Sequence, residues 1–357
     1  MSSQRLQAHS TDELRTQLQT VTQGYDPAQI FVLCDANSCR SCLPVLAGCC
    51  DSFQDSSRQI CLPAGDEHKN LESLARVWQA LSQGKATRKA LLINVGGGMI
   101  SDLGGFAAAC FKRGIDFVNI PTTLLSCVDA ALGGKTGINF NGYKNEIGAF
   151  RPAKAVIIYT AFFQTLDREN LRSGYGEMLK HGLLSGQEHW NEVLQLNLED
   201  CQSEAFGRAV LHSMLVKENI VQQDPTEQGL RKALNLGHTV GHAFESLSHH
   251  RHQPVGHGYA VAWGLVCELY LSCKLYGFPH QTLHEAIARI KELYGAFFFT
   301  CDDYPFLLEA MHHDKKNNDS HIRFALLSAP GCIKLDAQAN EELIAESLDF
   351  YRDVFGI

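Results

Sequence analysis

The feature that most constrains the fold is a change of rhythm partway along the chain. Up to about Thr165, short β-branched runs alternate with helical stretches. QIFVLC, RQICLP, KALLINV, FVNIPTT and AVIIYT read as strands; LESLARVWQALSQG, between two of them, has helical spacing and ends at Gly84. Such alternation gives a parallel sheet, with helices on both faces. After Thr165 the strand signals fade. GEMLKHGLL, AFGRAVLHSMLVKENIVQQ, RKALNLGHTVGHAFESL, AVAWGLVCELYLSCKLYG and LHEAIARIKELYG carry helical spacing, and one β-like return, IRFALL, lies near the end. The expected architecture is an α/β domain with a Rossmann-like parallel sheet over residues 1–165, then a mainly α-helical domain over 166–357. The cleft between them is the default site.

Bulk properties narrow the function. At 357 residues and 45% apolar content the chain can bury a sizeable core. A net charge of -8 argues against nucleic acid, whose phosphates call for a basic face, but not against a small anionic substrate in a locally basic cleft. The N-terminal MSSQRLQAHSTDELRTQ has no apolar core of signal-peptide length, and the apolar run AVAWGLVC stops at Glu268, short of a membrane span. A cytoplasmic protein with no membrane partner is expected. The 13 cysteines are scattered, mostly inside apolar runs, and read as reduced thiols acting as small hydrophobes. Cys39, Cys42, Cys49 and Cys50 do not make a zinc ribbon, because the second pair is adjacent and lacks the usual gap.

Several motifs carry chemistry. In NVGGGMISD, Asn94 to Asp102, a strand runs into three glycines and then a helix, a turn that lets backbone N–H groups approach a pyrophosphate; Ser101 occupies the position where the usual dinucleotide fingerprint has its last glycine. GGKTG, Gly133 to Gly137, is not a phosphate loop, because Asp129 stands where that loop needs glycine. Glu177 and Lys180 lie three apart and share a helix face amid Met178, Leu179, Leu183 and Leu184, which suggests a cleft-lining pair rather than a solvated one. His238 and His242 also share a face, with Thr239 where a zinc protease would carry its Glu. His257 heads the next helix. Glu177 plus two of these three histidines would suit zinc with open positions for substrate, and spacing does not choose the two. SHHRHQ reads as a solvated loop. Lys135, Lys144, Lys217, Arg231, Lys315 and Lys316 could converge to hold an anion.

Taken together, these stretches resemble the 3-dehydroquinate synthases of the sugar phosphate cyclase superfamily, from Asp35 to about Gly331. The blocks are GGGMISDLGGF, FKRGIDFVNIPTTLLSCVDAALGGKTGIN, KNEIGAF, GEMLKHG, the Lys217 to His242 segment with its LN-x-GHT-x-GHA-x-E pattern, HGYAVAWG and DKKN. The resemblance implies conversion of 3-deoxy-D-arabino-heptulosonate 7-phosphate to 3-dehydroquinate and phosphate. It further implies NAD and zinc or cobalt as cofactors, and a homodimer. Asp35, Asn37, Asp66, Lys69, Gly97, Gly98, Asp102, Thr122, Thr123, Asp129, Lys135, Lys144 and Thr165 fall at cofactor positions. Glu177, His238 and His257 fall at the metal. His242, Glu227 and Lys180 fall at catalytic positions. Lys217 and Arg231 fall at the substrate carboxylate; Asp129, Asn235 and His242 fall at substrate positions; Lys135, Lys144 and Asn145 fall nearest the phosphate end, with one of Lys315 and Lys316 at the phosphate site and Arg113 reaching a phosphate across a dimer interface. Asp66 stands where the family usually has Glu. The alternatives are a cyclase acting on sedoheptulose 7-phosphate, which would not need Lys217, Arg231 and Asn235 together, a metal-dependent NAD alcohol dehydrogenase, or a non-enzymatic metal- or nucleotide-binding protein.

Overall fold

The structure is a computed structural model and describes residues 3–141, 143–312 and 322–357. The chain divides into two compact units, one of residues 1–167 with 200–207 and one of 168–199 with 208–357.

Unit 1 is a six-stranded parallel sheet with helices around it. Its elements are β1 (Gln4–Ala8), α1 (Thr11–Thr22), β2 (Ile30–Asp35), α2 (Ala36–Ser41), α3 (Leu43–Ala47), β3 (Gln59–Leu62), α4 (Leu71–Gln83), β4 (Leu91–Gly96), α5 (Gly98–Cys110), β5 (Asp116–Pro121), β6 (Lys135–Phe140), β7 (Tyr143–Phe150) and β8 (Ala155–Tyr159). The strand order is β1-β8-β5-β4-β2-β3. All five strands expected from β-branched runs are present. Three of them, β2, β4 and β8, are buried on both faces, which is why each reads as a nearly continuous apolar run. The sequence signal missed β1, an edge strand written QRLQA, because a half-exposed edge needs few apolar residues. It also missed the antiparallel hairpin of β6 and β7, whose outer strand is almost wholly exposed. From β2 the chain moves to one side for β3, then crosses to the other for β4, so the order reverses between β2 and β4. In open α/β sheets that reversal opens a crevice at the carboxyl ends of the two strands.

Unit 2 holds α6 (Arg168–Ser185), α7 (Gln187–Leu194), most of α8 (Glu204–Gln223), α9 (His238–His250), α10 (His257–Tyr276), α11 (His280–Tyr294), α12 (Tyr304–His312), the antiparallel pair β9 (Ile322–Ala329) and β10 (Cys332–Ala339), and α13 (Glu341–Phe355). IRFALL is the start of β9. The run RKALNLGHTVGHAFESL is not one helix, as its spacing suggests. A 3-10 turn, Leu230–Asn235, ends at Gly237, whose φ of 78° lies in the left-handed region, and α9 begins afresh at His238. The helix then runs through His249 and His250, so the SHHRHQ loop starts later than its polarity implies.

Glycines set how closely three of these helices approach. A methyl on Gly264 would run into the Gly237 carbonyl and lie 2.6 Å from the Gly241 nitrogen, and one on Gly241 would lie 2.8 Å from the Ala260 carbonyl. On the other side of α10, a methyl on Gly258 would collide with the Ser173 carbonyl, and one on Gly176 with that of Gly258. Backbone therefore meets backbone where α9 and α6 cross α10. Gly264→Ala is expected to lower stability by about 1–3 kcal/mol through overpacking against rigid backbone. Gly207→Ala, where the added methyl meets nothing within 4 Å in α8, should be neutral or stabilise by about 0.5–1 kcal/mol. Chemical-denaturation midpoints of the two variants separate these outcomes.

His189 supplies a pH dependence. Its ring is buried on α7, with Nε2 2.9 Å from Ser213 Oγ and Nδ1 2.8 Å from Glu192, beside the His212 ring. Burial pushes its pKa down to about 4, with His212 adding to the fall and Glu192 opposing it. The unfolded chain, with an ordinary imidazole near 6.5, takes up a proton before the folded one does. The contribution is thus fully present above about 6.5 and is lost as pH falls from there towards 4. His189→Gln should flatten that part of the stability-versus-pH curve, read as denaturation midpoints between pH 7 and pH 4.

Candidate metal centre and nucleotide crevice

The candidate centre of unit 2 is built where those close crossings meet. Each of its acidic and imidazole groups stands beside a crossing glycine: Glu177 after Gly176, His238 after Gly237, His242 after Gly241, and His257 before Gly258. Glu177 is completely buried. Its Oε1 lies 3.3 Å from Nε2 of His238 and 3.3 Å from Nε2 of His257, and its other oxygen is ion-paired with Lys180. The Lys180 side chain is itself 1% exposed, so the pair is an interior one. His242 completes a group of three imidazoles whose nitrogens lie within 4.8 Å of one another.

The outer contacts fix which nitrogen faces inward. The His238 Nδ1–H donates to the Leu236 carbonyl at 3.1 Å, because a carbonyl can only accept. That leaves the Nε2 lone pair towards Glu177. His257 Nδ1 faces the Glu245 carboxylate at 3.5 Å, so its Nε2 likewise points at Glu177. Glu268, fully buried on α10, accepts from the backbone N–H of Gly237 at 2.6 Å and of Val240 at 3.1 Å. It thereby caps the start of α9, where no local side chain does so.

The charges are arranged around one carboxylate. Burial alone would raise the Glu177 carboxyl, but the Lys180 ammonium and the imidazoles of His238 and His257 outweigh it and hold the group well below the usual carboxylate range. Burial, helped by Lys180, pushes His238 down to about 4. For His257, burial is outweighed by Glu177 and Glu245, which lift it to about 10. An ionised carboxylate is thus held in the interior with both oxygens lacking a well-aligned hydrogen-bond donor, facing the Nε2 atoms of two imidazoles. A divalent cation answers that arrangement, and carboxylate plus imidazole is the donor set that suits zinc.

A second cluster of predicted residues stands in the same unit. Asn235 Nδ2 donates to Glu227 Oε1 at 2.9 Å. Glu227 sits at φ 63°, in a turn organised by Asp224, whose carboxylate accepts the backbone N–H groups of Gln228, Gly229 and Arg231. Arg231 is buried to 1% exposure with Nη1 anchored on the Pro225 carbonyl, and Lys217 is buried on α8. Lys315 and Lys316 lie outside the described residues.

In unit 1 the expected cofactor positions line the reversal in strand order. Asp35 ends β2 and caps α2, its Oδ1 accepting from Asn37 and Ser38 N–H at 2.8 Å each. Gly97 and Gly98 follow β4 and open α5; a methyl on Gly97 would lie 3.1 Å from Thr123. Lys69 and Asp102 form a largely buried ion pair at 2.8 Å. The Thr122 N–H donates to the Gly96 carbonyl, Thr123 Oγ1 accepts from Ser126 N–H, and Thr165 Oγ1 donates to the Phe162 carbonyl. Asp129 lies in the turn after β5. Ser101 bonds Ser126 and the Gly97 carbonyl, so the departure from the usual fingerprint is absorbed inside the fold. Asp66 lies 3.6 Å from Lys144 on the hairpin and accepts from Asn139, which in turn accepts from the Asn145 N–H. Lys135 starts the same hairpin, and Arg113 is exposed in the left-handed turn after α5.

Sequence reasoning missed Glu245 and Glu268 as supports of the centre. Glu245 was legible as an acidic residue one helical turn beyond His242. Glu268 had no signal, since an acid inside an apolar helix reads as an interruption until the N–H groups it caps are seen. Glu268→Ala is expected to leave those donors unpaired at about 1–3 kcal/mol each and to lower metal retention; Glu268→Gln, which keeps an oxygen acceptor, should lose less. Thermal denaturation with and without chelator checks both.

Known proteins carry the same pattern. A family model described as 3-dehydroquinate synthase N-terminal matches residues 59–173, and one described as 3-dehydroquinate synthase C-terminal matches residues 174–317. A 3-dehydroquinate synthase of Parabacteroides distasonis is 50% identical over 345 residues, 97% of either chain. One of Clostridium tetani is 35% identical over 287 residues, covering 80% of this chain and 76% of its own. Among solved structures, a 2-epi-5-epi-valiolone synthase from Streptomyces hygroscopicus with NAD+ and Zn2+ bound superposes with a TM-score of 0.88 at 21% identity, over 99% of this chain and 97% of that one. A 2-deoxy-scyllo-inosose synthase complexed with carbaglucose-6-phosphate, NAD+ and Co2+ superposes at 0.77 with 20% identity, over 93% of each chain. At those identities the structures speak to the fold alone.

Proposed function

The chain belongs to the 3-dehydroquinate synthase family, and from that premise we propose that the Glu177 centre carries the family's reaction, with the crevice of unit 1 holding the nucleotide. The reaction turns 3-deoxy-D-arabino-heptulosonate 7-phosphate into 3-dehydroquinate and phosphate, a phosphorus–oxygen lyase step of the shikimate pathway. The observation that carries the assignment is one buried carboxylate oxygen equidistant from two inward-facing imidazole nitrogens.

Glu177, His238 and His257 would hold zinc or cobalt, and Asp35, Asn37, Gly97, Gly98 and the Lys69–Asp102 pair would hold NAD. When bound, NAD would supply reversible hydride acceptance and the cation would supply charge to acidify the substrate hydroxyl and polarise the ketone. The chain's own residues bind, orient and move protons. Lys180 adds positive charge that favours the alkoxide at the carbon to be oxidised. His242 stands one turn from His238 and serves as proton-transfer group. Glu227, held by Asn235, serves as a second acid–base group. Arg231, pinned by Pro225, and Lys217 present a fork and a point charge to the substrate carboxylate. Lys135, Lys144 and Asn145 serve the phosphate end, with Arg113 contributed across a homodimer. A sedoheptulose 7-phosphate cyclase has no substrate carboxylate for the buried Arg231 and Lys217 to meet.

Incubation with substrate, NAD+ and zinc should release phosphate without net NADH build-up. Consumption of sedoheptulose 7-phosphate with the heptulosonate untouched would overturn the substrate assignment, and stoichiometric NADH would mark a dehydrogenase. His242→Ala should slow turnover by about 10²–10⁴-fold with zinc content near normal, whereas His238→Ala should lose the metal. Loss of zinc in the His242 variant would contradict the ligand set.

A further inference from the structure

Cysteines distant from any zinc-ribbon spacing meet in unit 1. Cys34 and Cys61 are register partners on the parallel strands β2 and β3, so their side chains leave the same face of the sheet. Cys39 lies on α2, just over one turn past its Asp35 cap. The three sulfurs lie within 4.8 Å of one another. Their environments are graded: Cys34 is buried in the core, Cys39 is half-buried and Cys61 is exposed, so the cluster is closed behind and open at one side.

Three sulfurs about 2.3 Å from one zinc ion stand about 4 Å apart when trigonal, inside the 4.8 Å within which they already lie. Two of the three sit on adjacent strands of a hydrogen-bonded sheet, which fixes their separation without help from flexible loops. Asp35 stands near enough to act on the Cys61 sulfur, adding a negative charge that a dication would offset. We propose that Cys34, Cys39 and Cys61 form a three-thiolate site for one thiophilic divalent cation such as zinc or cadmium, distinct in chemistry from the Glu177 centre. On binding, each sulfur releases its proton to solvent and forms one bond to the cation. Nothing is oxidised or reduced, and the fourth position stays open to water. The cation ties β3 and α2 to β2.

The test is a cadmium titration of the reduced, chelator-stripped full chain, following the ultraviolet thiolate-to-cadmium charge-transfer band. That band requires sulfur ligation, so the Glu177 centre and the His189–Glu192–His212 group are silent in it. Wild type should show the band saturating with one cadmium per chain. Cys39→Ser and Cys61→Ser, which leave the fully buried Cys34 in place, should each lose that equivalent while keeping the wild-type circular dichroism. Cys50→Ser should keep it in full. A wild-type chain with all thiols free but no band, or a band undiminished in both variants, overturns the site and leaves the three sulfurs as small hydrophobes filling the gap between strand and helix.

Discussion

The centre of unit 2 depends on burying one ionised carboxylate. Glu177 has no exposed surface, and an isolated charge there would be strongly unfavourable. It is tolerated because Lys180 sits on the same helix face and because two imidazoles are brought to the same oxygen from α9 and α10. That convergence is possible only where helices approach closely, and they do so through Gly176, Gly241, Gly258 and Gly264. The glycines and the reacting groups are neighbours in sequence for this reason: the backbone contact that a glycine permits is what places the adjacent side chain at the centre. A larger residue at any of these crossings would push the adjacent side chain outward along with its helix.

The same economy appears in the supports. Glu268 spends its carboxylate on the first N–H groups of α9, and Leu236 spends its carbonyl on His238, so that helix start and ring orientation are set by two contacts one residue apart. In unit 1 the corresponding device is the sheet itself. Reversal of strand order between β2 and β4 puts Asp35 and the Gly97 turn on either side of one crevice, and the Lys69–Asp102 pair lies at its edge with both charges mutually satisfied.

Much of this was legible beforehand, and the reasons differ by element. Strands β2, β4, β5 and β8 were readable because strands inside the sheet, covered on both faces, are apolar almost throughout. The hairpin of β6 and β7 was not, because its outer strand has no face to bury and keeps no hydrophobic alternation. The run RKALNLGHTVGHAFESL reads as one helix because its apolar spacing is unbroken; the interruption lies in the backbone of Gly237, which spacing does not record. The Glu177–Lys180 pair was readable as non-solvated from the leucines around it, and the structure buries both.

The sequence by itself determined the fold class, the family, and the short roll of residues able to do chemistry, because residue type and local period decide which faces can be buried and which groups can ionise. Tertiary structure alone decided which distant acids support the histidines around Glu177 and which cysteines stand together. Those are questions of distance between segments far apart along the chain, and no local pattern encodes a distance that only packing sets.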